Sequence, residues 1–361
     1  MEYFSPLQLV LVGTVLEASV FLFEVPTGVV ADVFSRRLSV IIGIFLIGLG
    51  FILEGSVPLF IAILLAQVLW GVGYTFTSGA TQAWITDEIG EEAAGKAFLR
   101  SKQVDLLCSL VGLGLGVALG AVRVNLAIQV GGGFMLLLGV FLTFFMPETG
   151  FKPAPRGESS SWQNMMRTLR DGLNTVRGRP ALMTILGIGL IYGLYSEGFD
   201  RLWTKHPIDQ FAMPLAHRLQ PVVWIGAVRA VGMLFSLGAA ELARRNFRTD
   251  LYQALARALL GISVVLVIGL FGFAMAGSLF VAIPAYWLIA ISRNVIDPLY
   301  TAWVNHKLES HVRATVISMS SQVDAIGQIG GGPMVGMIGN LISVRAALLT
   351  SAFILSPVIA L

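Results

Sequence analysis

Charged residues are scarce in this chain. Only 12% of its 361 residues are charged, whereas a soluble domain carries about 25%. Apolar residues make up 56% of the chain, more than a water-soluble fold could keep away from solvent. The composition therefore excludes an ordinary soluble domain and predicts an all-α, polytopic membrane protein, because helices in lipid satisfy their own backbone hydrogen bonds.

Disulfides, metal-ligand clusters and basic patches are also missing from the sequence. Cys108 is the single cysteine, so the chain has no disulfide framework. The histidines show no metal-ligand spacing; they are His206, His217, His306 and His311. The net charge of +3 is spread over loops, which argues against nucleic acid as a partner. No nucleophile–base set or phosphate-binding loop occurs, so we expect neither an enzyme nor a bound cofactor.

Long apolar runs, by contrast, dominate the sequence. A membrane-spanning helix needs about 20 mostly apolar residues. Runs of about this length predict eleven spans, at 7–30, 38–54, 57–84, 97–121, 124–146, 180–199, 221–242, 252–275, 279–301, 315–339 and 344–361. A polar stretch at 147–179 separates five of them from six. Its second part, 162–179, alternates apolar and basic residues, which indicates either an amphipathic helix on the membrane surface or a flexible basic linker.

Loop charges predict the orientation of these spans. Cytoplasmic loops carry an excess of Lys and Arg. If the loop at 31–37 is cytoplasmic, alternation places most of the basic loop residues on the same side. We therefore expect a multi-pass protein of the cell membrane (inner or plasma membrane) with a cytoplasmic linker and a cytoplasmic C-terminus.

The sequence also repeats itself. AWITDEIGEE at 83–92 matches AWVNHKLESH at 302–311, and in the same register SKQVD at 101–105 falls on SSQVD at 320–324. Parallel halves of this kind are a known transporter architecture. The same register leaves the first span of the second half without a counterpart, so we expect that the chain lacks its opening helix; a true eleven-helix protein is the alternative.

Two motifs carry a resemblance to a known family. GVVADVFSRR at 28–37 forms a polar turn between two apolar segments, and MPETG at 146–150 ends the fifth span. The first resembles the signature loop between helices 2 and 3 of the major facilitator superfamily, and the second resembles the Pro-Glu-Thr ending of helix 6. EVPTGVVAD at 24–32 and RATVISMSSQVDAIGQIGGGP at 313–333 are most similar to bacterial drug-efflux proteins and proton antiporters.

The resemblance implies a fold of two pseudo-symmetric helical halves, with about eleven of an expected twelve transmembrane helices. Residues 1–150 would be the N-terminal half (helices 2–6 of the family) and 151–179 the cytoplasmic linker. Residues 180–361 would be the C-terminal half (helices 7–12).

A conformational latch is a second implication. Gly28 would allow close helix approach, and Asp32 would lie against the positive N-terminal end of the helix that begins near 313–315. Arg36 would bridge Asp32 to Asp87. The alternative is that Arg36 and Arg37 only fix the membrane topology.

Two departures from the family pattern stand out. Gln67 occupies the place where related antiporters often hold an arginine, so proton coupling would have to be arranged differently. The span at 97–121 has spaced glycines, including Gly112, Gly116 and Gly120, but no proline, whereas its repeat partner contains Gly332 and Pro333. These residues indicate helix packing and bending.

Ionisable residues inside spans are functional candidates because their burial is costly. The candidates for proton coupling or the substrate cavity are Glu17, Glu24, Asp105, Asp324, Arg229, Arg293 and Asp297. We expect Asp105 and Asp324, which are repeat equivalents, to carry protons, with Glu17 next.

Structural alternatives exist for the remaining charges. Arg293 and Asp297 would neutralise each other one turn apart. Glu197 and Asp200 would pair with Arg201. Glu24 would support the signature loop, and Arg229 would pair with a carboxylate or bind an anionic substrate.

The function that the sequence favours is secondary active transport. A monomer in the lipid bilayer would export a small amphipathic compound by alternating access, driven by the proton gradient. The alternatives are metabolite uptake by symport or uniport, or a non-transporting membrane receptor.

Overall fold

The described part of the protein is helical. A computed structural model describes residues 4–153, 180–211, 220–246, 252–307 and 310–360, and these contain no strand. The helices are α1 Pro6–Val33, α2 Arg36–Ser56, α3 Phe60–Thr77, α4 Ala80–Ile89, α5 Glu91–Val122, α6 Val124–Phe145, α7 Pro180–Leu202, α8 Lys205–Gln210, α9 Pro221–Asn246, α10 Tyr252–Ala274, α11 Leu279–Lys307, α12 Ser310–Leu341 and α13 Val344–Leu355, followed by a 3-10 turn at Ser356–Ala360. The predicted all-α fold is confirmed.

Many of the described helices have membrane-spanning character. Seven stretches of described helix are long and apolar enough to cross a bilayer, and two shorter apolar helices cover Leu107–Val122 and Val344–Ala360. Every one of the eleven predicted spans lies on observed helices. The predicted linker helix at 162–179 lies outside the described residues, and the predicted boundaries of the two halves remain predictions.

Two predicted boundaries differ from the structure. The helix α1 continues to Val33, so the turn of the GVVADVFSRR motif consists only of Phe34 and Ser35. The single span predicted at 57–84 is two helices, α3 and α4. Gly79 lies between them with φ of +71°, a left-handed conformation that ends a helix and favours glycine.

The first compact unit comprises residues 15–153. In it, α2 packs against both α3 and α6. Gly43 and Gly73 face each other in the contact between α2 and α3, where a Cβ atom on Gly43 would lie 2.5 Å from the Gly73 carbonyl oxygen. Glycine at both positions therefore allows these two backbones to approach closely.

The second unit comprises residues 4–14 and the described chain from 180 to 360. Here α7 packs against α12 and α13, and α10 packs against α11. Tyr195, Leu270 and Leu348 are buried in its apolar core. A Cβ atom on Gly193 would lie 2.0 Å from the carbonyl oxygen of Asp324, so α7 and α12 are in backbone contact.

Candidate functional site

A network of ion pairs and hydrogen bonds surrounds the turn between α1 and α2. We call its members Ser35, Arg36, Asp87, Glu88 and Glu148 the turn cluster. Arg36 forms an ion pair with Asp87, the partner that the family resemblance implies. Glu148 accepts hydrogen bonds from the Ser35 hydroxyl at 2.7 Å and from the backbone N–H of Arg37 at 2.9 Å. Its carboxylate therefore lies at the positive N-terminal end of α2.

The segment after α6 is bound to the end of α4. Glu88 accepts hydrogen bonds from the backbone N–H and hydroxyl of Thr149, at 2.6 and 2.7 Å, and from the N–H of Gly150 at 2.8 Å. The Trp84 indole donates to the carbonyl of Pro147 at 2.7 Å. The MPETG motif thus joins α2, α4 and α6 within the first unit.

The remaining residues of the signature motif have different environments. Asp32 is exposed on the last turn of α1. Arg37 donates to the carbonyl of Thr143, 2.5 Å away, near the end of α6. Within the described residues, a Cβ atom on Gly28 would meet nothing within 4 Å, so the predicted close helix approach at Gly28 is not observed. The predicted contact of Asp32 with the first turn of α12 stays a prediction.

One cavity of the second unit lies among α7, α10, α11 and α12. Its volume is about 460 Å³, within the range of roughly 300–1,000 Å³ for small-molecule pockets. The lining residues include apolar, aromatic, hydroxyl and acidic side chains: Ile188, Tyr192, Leu259, Leu260, Ser263, Ile296, Asp297, Tyr300, Trp303, Ser320, Ser321 and Asp324.

Two of the predicted carboxylates meet at this cavity. Asp324 on α12 and Asp297 on α11 both line it. The Gln328 amide donates to Asp324 at 2.8 Å. The Tyr300 hydroxyl lies 3.0 Å from the carbonyl of Ile185, to which it donates, and 3.4 Å from the Ser320 hydroxyl. These contacts set the positions of the polar groups in the cavity wall.

The arginine and acidic residues next to the cavity pair differently from the sequence prediction. Arg293 donates two hydrogen bonds to Asp200 on α7, so this ion pair crosses between helices. The predicted interaction of Arg293 with Asp297 on its own helix stays a prediction. Glu197 pairs with Arg201 at 2.8 Å, as predicted, but Asp200 pairs with Arg293 and not with Arg201. A side-chain contact between α7 and α11 makes this pair, which residue spacing within one helix cannot show.

The other ionisable candidates are not among the residues that line this cavity. Asp105, the repeat equivalent of Asp324, is exposed on α5, and its predicted role in proton coupling stays a prediction. Glu17 is half-buried on α1, and Glu24 is exposed and accepts a hydrogen bond from Ser78 at 3.3 Å. Arg229 is exposed on α9. Asp324 and Asp297 are therefore the predicted candidates that the structure brings together.

The glycines predicted to serve helix packing have different surroundings in the structure. Gly120 is buried on α5, but a Cβ atom on Gly112 or Gly116 would meet nothing within 4 Å in the described residues, so their predicted packing is not observed. Thr14 lies close to Gly332, because a Cβ atom placed on this glycine would be 3.0 Å from the Thr14 hydroxyl. Pro333 lies inside α12, which continues past it to Leu341.

Sequence analysis missed several members of these sites. Sequence analysis did not select Glu88 and Glu148, because their partners are backbone and hydroxyl groups far away along the chain. Tyr300 and Trp303 follow Ile296 at spacings of one and two helical turns, a pattern that places them on one face and could have identified them. Gln67, only 1% exposed, donates to Glu54 at 3.0 Å, so in this protein it takes part in the contact between α2 and α3.

Comparisons with known proteins agree with this architecture. The Major Facilitator Superfamily profile matches residues 1–332, and the chain belongs to that superfamily. It is 22% identical over 355 residues to the uncharacterized MFS-type transporter YxaM of Bacillus subtilis (strain 168), covering 98% of this chain and 86% of that protein.

Solved structures of similar fold are also transporters. The nucleoside transporter NupG matches with a TM-score of 0.71 at 16% identity, covering 99% of this chain and 89% of that one. A bacterial homologue of the human lysosomal transporter Spinster, in an inward-facing conformation, matches with a TM-score of 0.71 at 14% identity, covering 99% and 88%. These similarities establish the fold, and the family establishes a secondary transporter that is integral to a membrane.

Proposed function

We propose that this transporter exports a small amphipathic compound by proton-coupled alternating access. The observation that carries the proposal is the cavity of the second unit, where Asp324 and Asp297 lie among apolar and aromatic side chains. Carboxylates inside a membrane protein are costly and mark ion or substrate pathways. The apolar wall suits a lipophilic compound, and a carboxylate there can exchange a proton for it.

The turn cluster supports the second element of the proposal, a latch between conformations. Arg36 and Asp87 form an ion pair whose side chains are only 19% and 26% exposed. With Asp32 nearby in sequence, this charged group would hold one conformation and release it during transport. In this proposal the cluster and the C-terminus face the cytoplasm of a cell-membrane protein, and the proton gradient supplies the energy without a bound cofactor.

Proton flux measured in proteoliposomes tests the proposal. The purified protein would be reconstituted with an internal pH dye, and lipophilic cations, neutral compounds and anions would be added one at a time. We expect a compound that drives protons in the direction opposite to its own movement, and we expect Asp324→Asn to abolish this flux. Glu92→Gln, which removes a carboxylate that is 90% exposed on α5, is the control and should retain it.

Each other result would contradict proton-coupled export. Protons moving in the same direction as the compound would identify symport, and compound equilibration without proton movement would identify uniport. Binding of a compound without transport in a correctly inserted protein would favour a receptor.

A further inference from the structure

We propose that a cavity at one end of the first unit binds a phosphate group, carried either by a membrane lipid headgroup or by a small phosphate compound. The cavity lies between the end of α2 and the start of α6, and its volume is about 450 Å³. Ser56, Arg123, Asn125 and Gln129 supply the polar part of its wall. This inference goes beyond the proposed transport function and does not depend on it.

The position of the cavity along α2 places it at a membrane surface. This helix has 21 residues, from Arg36 to Ser56, and so extends about 30 Å, the thickness of the hydrocarbon core of a bilayer. The turn cluster lies at the first end of α2, and Ser56 and the cavity lie at the other end. The side chains of Val122 and Val124 beside the cavity are 69% and 57% exposed, so lipid acyl chains can contact them while a headgroup enters the cavity.

The charge of the cavity wall favours an anion. Arg123 lines the cavity, and the lining residues in the described chain include no Asp or Glu. Glu54 is next to Gly55 in sequence, but its carboxylate accepts a hydrogen bond from the Gln67 amide on α3 at 3.0 Å. Gly55 itself packs against α6. The wall therefore presents a positive charge to a ligand without a carboxylate that would compete for it.

The guanidinium of Arg123 is available to a ligand. It forms no ion pair and no side-chain hydrogen bond with any described residue, whereas Arg36, Arg201 and Arg293 are each paired with a carboxylate. A guanidinium presents several donors in one plane that match the oxygens of a phosphate group, and such charge-assisted contacts are stronger than those between neutral groups.

Neutral hydrogen-bond donors complete the cavity wall. The Gln129 amide donates to the carbonyl of Gly55 at 3.1 Å and to the Ser56 hydroxyl oxygen at 3.2 Å. Because the Ser56 oxygen accepts this bond, its own proton remains free to be donated to a ligand. Glycine at position 55 permits this contact, since a Cβ atom there would lie 2.7 Å from Cγ of Gln129. The amide of Asn125 is a further donor in the wall.

The size of the cavity favours a phosphate group that is attached to an organic group. Its volume of about 450 Å³ lies within the range of roughly 300–1,000 Å³ for small-molecule pockets and exceeds what a phosphate ion alone would fill. Basic pockets between transmembrane helices bind the headgroups of anionic lipids. A phospholipid could therefore place its phosphate beside Arg123 and its acyl chains along the exposed apolar surface.

Native mass spectrometry of the purified full chain in detergent tests the inference. The probes are phosphatidylglycerol and diacylglycerol with the same acyl chains, so that only the first carries a phosphate. We expect the first phosphatidylglycerol molecule to bind at least about tenfold more tightly than diacylglycerol, and Arg123→Gln to weaken its binding by about tenfold, because a charge-assisted contact is lost. Arg100→Gln removes an exposed arginine of α5 and should leave this binding unchanged.

Glycerol 3-phosphate and inorganic phosphate, added as competitors, distinguish the two sources of the phosphate group. Displacement of phosphatidylglycerol by either compound would identify a site for soluble phosphates, and binding of the lipid alone would identify a headgroup site. Equal affinity for phosphatidylglycerol and diacylglycerol would overturn the inference, as would equal affinity of Arg123→Gln and Arg100→Gln for phosphatidylglycerol. The comparison of the two lipids on the unchanged protein decides the question even if a variant fails to fold.

Discussion

Arg293 on α11 and Asp200 on α7 form a two-point ion pair, with N–O distances of 2.5 and 2.9 Å. A guanidinium and a carboxylate joined in this way fix both the distance and the relative direction of their helices. Both helices line the cavity of the second unit. The pair therefore positions two walls of this cavity.

Replacing Arg293 by Lys should loosen this junction. An ammonium group cannot form the planar two-point contact, although it keeps the charge. The side chains are 33% and 41% exposed, so we expect the free energy of unfolding to fall by about 1 kcal/mol, nearer the value for a surface pair than for a buried one. Thermal unfolding in detergent measures this, with Lys96→Arg on the exposed pair with Glu92 as control; an unchanged melting temperature for Arg293→Lys would contradict the prediction.

The proposed latch makes a prediction about Asp32. Asp32→Asn should abolish transport and leave membrane insertion and folding intact, because the exposed side chain contributes little to packing. Transport would be measured in proteoliposomes and folding by size-exclusion chromatography. Glu92→Gln, a similar loss of charge at an exposed position of α5, is the control. Normal transport by Asp32→Asn would refute a latch role for this residue.

Glu148 should stabilise the first unit. Its carboxylate binds Ser35 and the Arg37 N–H at the N-terminus of α2. Glu148→Ala removes these bonds and the charge at the helix end, and we expect a loss of about 1–3 kcal/mol in the free energy of unfolding. Glu92→Ala removes a carboxylate that is 90% exposed and should change the melting temperature very little. Equal melting temperatures for the two variants would argue against the turn cluster as a structural junction.

The contact between α7 and α12 should not tolerate a side chain at Gly193. A methyl group there would lie 2.0 Å from the Asp324 carbonyl oxygen, so Gly193→Ala must separate the helices and should lower the melting temperature. Gly112→Ala is the control, because nothing lies within 4 Å of its Cβ position. That substitution should be neutral or slightly stabilising, since alanine favours helix. A Gly193→Ala protein as stable as Gly112→Ala would contradict the observed contact.

His206 should make stability depend on pH. It is fully buried in α8, outside the candidate spans, and burial, assisted by the positive charge of Arg345, lowers the pKa of its imidazole. The unfolded chain takes up this proton near pH 6.5, whereas the folded protein resists it, so stability should fall as the pH drops below about 6.5. In His206→Phe, the difference in melting temperature between neutral and acidic buffer should be smaller; an unchanged difference would show that other groups cause the effect.

The class of the protein and its helices could be predicted from the sequence because they depend on composition and local pattern. Scarce charge and runs of about 20 apolar residues require spanning helices whatever the packing. The ion pair of Arg36 with Asp87 was also predictable, through the family motif. Helix ends were less predictable, because the break between α3 and α4 depends on the backbone conformation of Gly79.

The difference between Asp105 and Asp324 shows what the sequence alone does not determine. Both end the same repeated motif, so local pattern treats them as equals. Only the packing of α12 against α7 places Asp324 beside a cavity, while α5 leaves Asp105 exposed. The ion pair of Arg293 with Asp200 was decided in the same way, because the two residues lie on different helices and no spacing within one helix indicates their contact. The sequence alone thus determined a helical membrane transporter with its signature turn, and tertiary contacts between distant helices decided which carboxylates line a cavity.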